Sequence, residues 1–145
     1  MKNVLVAMDF EDTSGAALRV AREFADAFGA KLHLLHVIPD VPTFWSFEAS
    51  DVDWNGLHNR WLEDANRKLS ELDAPSTSER VAQIGAPSSV IVRYAEEHDI
   101  DMIVIGTHGR GPIKEMLIGS VADKVVRSAR CPVLTVRPSA HEATD

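Results

Sequence analysis

The chain has 145 residues, 45% of them hydrophobic and 26% charged, and a formal net charge of −7. That length suits one domain, and the composition is that of a globular chain rather than a disordered one. The acidic balance excludes a face built to meet duplex phosphates, although backbone amides and a local cation can still hold a small anion.

Val4 to Met8 is a short apolar run closed by Asp9. It is too short for a signal-peptide core or a membrane span, so membrane insertion is not expected and the expected compartment is the cytoplasm. The lone cysteine, Cys131, rules out an internal disulfide and agrees with a reducing compartment. Ser14 to Phe28 follows with Ala17, Leu18, Ala21, Phe24, Ala25 and Phe28 at helical spacing, and Gly29 predicts the stop. Leu32 to Ile38 is a second apolar run, ended by Pro39. The connection from Pro39 to Ser50 carries Phe44, Trp45 and Phe47, aromatics unusual in a solvated loop, which suit either a lid or a partner contact.

Trp54, Leu57, Trp61, Ala65 and Leu69 predict a second helix, with Asp51 or Asp53 near its start. Arg80 to Ile84 is a weaker strand closed by Gly85, and Pro87 opens a helix carrying Val90, Ile91, Tyr94 and Ala95. Met102 to Ile105 is a fourth strand. The last helix begins at Ser120, with Asp123 three residues on in a capping-box-like pattern and Val121, Val125 and Val126 expected inward. Val133 to Val136 is the fifth strand, and residues 139–145 read as a frayed tail.

The first, second, fourth and fifth runs are continuously apolar, which suits strands buried on both faces. The alternating order predicts an α/β fold with right-handed crossovers, its ligand outside the carboxyl ends of the strands after Asp9, Val37 and Gly106.

The most informative stretch is Gly106-Thr107-His108-Gly109-Arg110-Gly111-Pro112, leading to Gly119-Ser120. Glycines bring backbone amides close to a ligand, and a helix start adds free amides and the positive end of its dipole. His108 and Arg110 are further candidate donors. A phosphate-binding loop and an ordinary strand-to-helix connection both fit this spacing. No P-loop motif is present, and the dinucleotide fingerprint fails because Lys114 stands at its third glycine.

Gly106, two residues, Gly109, nine residues, then Gly119-Ser120 resembles the nucleotide-binding motif of universal stress proteins. The resemblance continues through Val4 to Asp9, Leu35-His36-Val37, Asp101 to Gly109, Ser120 to Val126 and Arg130 to Val136, with residues 39–78 matched only loosely. It implies one domain over residues 1–138, an open parallel five-stranded sheet with helices on both faces, Rossmann-like and adenine nucleotide alpha hydrolase-like. It further implies that Asp9 and Val37 flank adenine and ribose, while Gly106, Gly109, Gly119 and Ser120 hold phosphates. His108, Arg110 and Val121 complete the candidate set.

The implied ligand is ATP, or AMP or ADP, with Mg²⁺ bridging the phosphates. The implied assembly is a homodimer through Val133 to Val136; that nucleic acid is not a partner is the expectation from the acidic balance. Departures from the family pattern are Pro112 at a common glycine position, Lys114-Glu115 beside the presumed phosphates, and Ala7 in place of a proline.

Three functions stay open on this reading: an ATP-binding stress-response regulatory module, a dimer of the same fold that binds no nucleotide, and a slow ATP hydrolase. Asp9 also suits a simple cap of the strand end. His33 and His36 read as surface or packing positions rather than metal ligands, and Cys131 as a small buried residue.

Overall fold

Strand and helix alternate along the chain in the computed structural model, which describes residues 1–40, 53–107 and 118–137. The strands are β1 (Asn3–Ala7), β2 (Lys31–Pro39), β3 (Glu79–Gly85), β4 (Met102–Gly106) and β5 (Val133–Val136). Among the described residues the helices are α1 (Asp12–Phe28), α2 (Trp54–Glu71), α3 (Pro87–Glu97) and α4 (Ser120–Ser128). All strand pairs are parallel, in the order β3-β2-β1-β4-β5. β1 therefore lies between β2 and β4, with Val4 beside Leu32 on one side and Met102 on the other.

Side-chain alternation divides the core between two helical layers. Val4, Val6, Leu32, Leu34 and Val104 pack with Ala17, Leu18 and Ala21 of α1 and Leu69 of α2. Leu5, Leu35, Ile103 and Ile105 turn the other way, against Val90, Ile91 and Tyr94 of α3 and Ala122 and Val125 of α4. Each fully buried aliphatic side chain of this kind contributes about 1.5–3 kcal/mol. The continuous apolar runs of β1, β2 and β4 follow from coverage on both faces.

Helix boundaries have local causes. Gly29 ends α1 with φ 63°, and its turn is closed by the Ala30 amide donating to Ala25 O at 2.8 Å. Asp53 caps α2, accepting from the Gly56 amide at 3.1 Å, which decides between the two candidate aspartates. Pro87 stands in the first turn of α3, where its missing N–H costs nothing.

Several expectations need correction. β5 is half-buried rather than fully covered: it lies at the edge of the sheet, with β4 as its neighbour among the described residues, and its side chains pack only partly against the two layers. Val126 is 44% exposed: Val121, Ala122 and Val125 set the inward face of α4, and Val126 falls roughly a quarter turn away. Phe28 is 56% exposed at the end of α1, stacked on Phe24 with ring centroids 6.2 Å apart. The capping box at Ser120 is absent. Gly119 is the N-cap residue, and Asp123 pairs instead with Arg127 one turn on, Oδ2 to Nε at 3.1 Å.

His33 is buried, not a surface position. Its Nδ1 lies 2.8 Å from the Tyr94 hydroxyl and its Nε2 3.1 Å from Asn3 Oδ1. The Asn3 amide nitrogen donates to the Asp99 carbonyl at 3.3 Å, so Oδ1 must face the ring. His33 therefore donates from Nε2 and accepts the Tyr94 O–H at Nδ1. Burial, with Lys31 and His98 nearby, holds the His33 pKa below its ordinary value, and burial pushes the Tyr94 phenol up to about 12.

Candidate functional site

Strand order reverses at β1, because one crossover leads to β2 and another to β4 on its opposite side. The loops leaving β1 and β4 diverge there and open a crevice at the carboxyl ends of the strands. A cavity of about 420 Å³ fills it. Ala7, Val37, Pro39, Pro87, Ile91 and Ile105 supply apolar wall, and Asp9, Ser14, Thr107, Gly119 and Ser120 supply polar groups. That mixture, mostly apolar with a few convergent polar groups, is typical of a small-molecule site.

β1 delivers Asp9 through a tight turn. Its Oδ1 accepts the Glu11 amide at 2.8 Å, so the carboxylate does cap the strand end while bordering the cavity. Phe10, between them, adopts φ 64°, the left-handed region that bulky residues avoid. The Met8 amide donates to Leu35 O at 2.8 Å, carrying the β1–β2 ladder one residue past the strand.

β4 delivers Gly106 and Thr107. A Cβ on Gly106 would stand 2.6 Å from Thr13 Cγ2 and 3.1 Å from the Thr13 carbonyl oxygen, so the close approach of α1 favours glycine here whatever a ligand asks of it. Thr107 is 2% exposed and donates its amide to Val136 O at 3.0 Å, tying the loop to the end of β5. Its carbonyl accepts the Gly119 amide, which brings the start of α4 back to the crevice.

At that start the Asp123 amide donates to Gly119 O at 2.9 Å. The amides of the preceding first-turn residues have no acceptor within the helix, and the N-cap residue, Gly119, has no side chain to cap them. Ser120 is exposed at this end and lines the cavity. Amides and the positive end of the dipole together make a seat for an anion.

Of the sequence-predicted site residues, Asp9, Val37, Gly106, Gly119, Ser120 and Val121 all border this one cavity. His108, Gly109 and Arg110 lie outside the described residues, as do Pro112, the aromatic stretch Phe44 to Phe47 and the tail 139–145. Sequence reasoning missed Ser14, Pro87, Ile91 and Thr107. Thr107 was within reach, since it stands inside the glycine stretch. Pro87 and Ile91 carried no local signal, because α3 reaches the crevice only through the crossover from β3 to β4. Among the described residues no group of three His, Cys, Asp or Glu side chains is arranged to hold a metal. None of the described helices is long and apolar enough to cross a membrane.

Residues 1–137 match the family model described as the Universal stress protein family. The chain belongs to that family. Universal stress protein YxiE of Bacillus subtilis is 34% identical, the match covering 92% of this chain and 97% of YxiE. Universal stress protein MJ0577 of Methanocaldococcus jannaschii is 28% identical over 94% of each chain. The solved structure of MJ0577 superposes with a TM-score of 0.79, covering 94% of this chain and 95% of that one. A universal stress protein solved in complex with cAMP superposes with a TM-score of 0.62 at 28% identity, over 93% of this chain and 96% of its own. Five parallel strands in one open sheet, flanked by helices on both faces, are thus the family's architecture here.

Proposed function

We propose that this universal stress protein binds an adenine nucleotide, ATP with ADP and AMP as shorter congeners, and works as a nucleotide-dependent regulatory homodimer in the cytoplasm. The observation that carries the reading is the cavity at the β1/β4 switch point, apolar on one side and open to the start of α4 on the other. Adenine lies against Val37, Ile91 and Ile105, and ribose hydroxyls donate to the Asp9 carboxylate. Phosphates meet the amides of Gly119, Ser120 and Val121 and the Ser120 hydroxyl, with Gly109, His108 and Arg110 supplied by the glycine stretch. Mg²⁺ would arrive with the nucleotide, held by its phosphates, and would neutralise part of their charge.

A relative of 28% identity solved with cAMP supports the adenine-nucleotide class. Hydrolysis, if measured, is expected to be slow, because the groups around the cavity are binding groups rather than an acid–base pair. The dimer forms through β5, whose outer edge has no neighbour in the sheet among the described residues and whose Val133, Leu134 and Val136 are only half-buried.

The test is to release whatever small molecule co-purifies with the protein, identify it by chromatography, and titrate the ligand-free form with ATP while sedimentation reports its mass. Adenine nucleotide in the eluate, or micromolar affinity with a dimeric mass, is expected. An empty protein that ignores millimolar ATP overturns the nucleotide reading, and a monomer at every concentration overturns the dimer.

A further inference from the structure

We propose that His36 is the positioning residue for Asp9: from β2 it holds the turn that presents the carboxylate to the cavity. This rests on the reading of that cavity as a nucleotide site. The His36 Nδ1 lies 2.6 Å from the Met8 carbonyl oxygen. A carbonyl can only accept, so Nδ1 carries the proton, and in the neutral ring Nε2 is bare. The same ring packs against Phe10, with centroids 4.4 Å apart and planes inclined at 43°. Lys68 Nζ stands 5.5 Å from the centroid of the Phe10 ring, so the aromatic side chain is held from α2 as well.

These contacts fall on consecutive residues of one turn. Met8 is held at its amide by Leu35 O and at its carbonyl by His36. Phe10 is held by its side chain in a left-handed conformation that a bulky residue keeps only when its surroundings over-determine it. Asp9 stands between the two, and its Oδ1 accepts the Glu11 amide at 2.8 Å. Releasing the Met8 carbonyl frees the peptide joining it to Asp9. His36 is half-buried and borders two cavities of about 420 Å³ each, the nucleotide cavity and a second one lined by Phe10, Trp61 and Lys68. Its place in the wall between them lets it support Asp9 without itself occupying the ligand's space.

The assignment predicts which substitutions are tolerated. The asparagine amide nitrogen is bonded to Cγ, as the histidine Nδ1 is, and can reach the same carbonyl. The glutamine amide sits one bond farther out, near the Nε2 position. H36N is therefore expected to keep the turn, whereas H36Q and H36A lose it.

Three readouts on the full chain test this. Nitrogen-15 correlation spectra of the wild-type ring, taken where it is neutral, should place the proton on Nδ1; a proton on Nε2 overturns the proposal without any variant. Amide hydrogen exchange at Glu11 should be about tenfold faster in H36A and H36Q than in wild type and H36N, the loss of one modest hydrogen bond. ATP affinity should divide the same way, weakened about tenfold in H36A and H36Q and restored in H36N. Equal exchange in all four proteins overturns the positioning role even if ATP binds. If wild type binds no ATP while exchange still divides the variants, the nucleotide reading falls and the role of His36 in the turn stands.

Discussion

Gly106 and Thr13 meet backbone to backbone: a Cβ on Gly106 would lie 2.6 Å from Thr13 Cγ2, 3.1 Å from its carbonyl oxygen and 3.2 Å from its carbonyl carbon. The first of these atoms can rotate away, but the other two belong to the opening turn of α1. G106A must therefore push β4 and α1 apart, at about 1–3 kcal/mol for an overpacked site. Because both elements wall the cavity, ATP affinity should fall with stability. Chemical denaturation alongside titration checks this, and an unchanged midpoint would show that the close approach is not enforced.

Ser120 separates binding from folding. Gly119, not Ser120, is the N-cap residue of α4, and the Ser120 hydroxyl is not its cap. S120A should therefore leave the melting temperature within a degree or so of wild type, while lowering ATP affinity by about 1–2 kcal/mol, one hydrogen bond to a charged group. Lost stability with intact affinity would mark the hydroxyl as structural.

Arg80 lies near the start of β3, on the edge of the sheet away from β4 and β5. Its guanidinium donates to the Leu69 carbonyl, to Leu72 O at 3.1 Å and to Ala74 O at 3.0 Å, closing the C-terminal end of α2. Replacement by methionine keeps much of the stem but removes all three bonds, leaving the Leu69 carbonyl with the Leu72 amide alone, and should cost about 2–3 kcal/mol of unfolding free energy. Nucleotide affinity should stay as in wild type, since Arg80 does not line the crevice. A fall in affinity greater than the stability loss explains would contradict that separation.

His33 gives stability a pH dependence of predictable sign. Its folded pKa lies below 6.5, chiefly through burial, so the unfolded chain binds the proton first. Its contribution is fully present above pH 6.5 and is lost as pH falls from there through the lowered folded value. Denaturation midpoints measured downward from neutrality should decline over that window, and H33N, which lacks a titrating ring, should decline less. Parallel curves for the two proteins would remove His33 as the cause.

The glycine stretch is tested by G109V, a branched side chain placed where the amides are expected to face phosphate. ATP binding should be lost, at least a hundredfold or about 2.7 kcal/mol, while the melting temperature is kept. Wild-type affinity in this variant would exclude the stretch from the site.

Local pattern by itself determined the identity and order of the elements. Continuous apolar runs at Val4, Leu32 and Met102 read as covered strands because burial on both faces removes any need for alternation. Gly29 and Pro87 marked helix ends because their backbone preferences act within a single residue. The glycine spacing from Gly106 to Ser120 pointed to one corner of the fold, and Asp9, Val37, Gly119 and Ser120 border a single cavity there.

What the tertiary structure alone decided is everything that depends on which elements become neighbours. The sheet order makes β5 an edge and leaves it half-buried, though its apolar run looks like that of β4. Packing chose Ala122 and Val125 over Val126 as the inward face of α4, on a helix too short for its own pattern to choose. The crossover from β3 carried Pro87 and Ile91 into the crevice, and the pairing of β1 with β2 set His36 beside Met8 and Phe10. Such contacts join residues far apart in the chain, and their energy exists only once the loops between them have closed. No local periodicity can carry it.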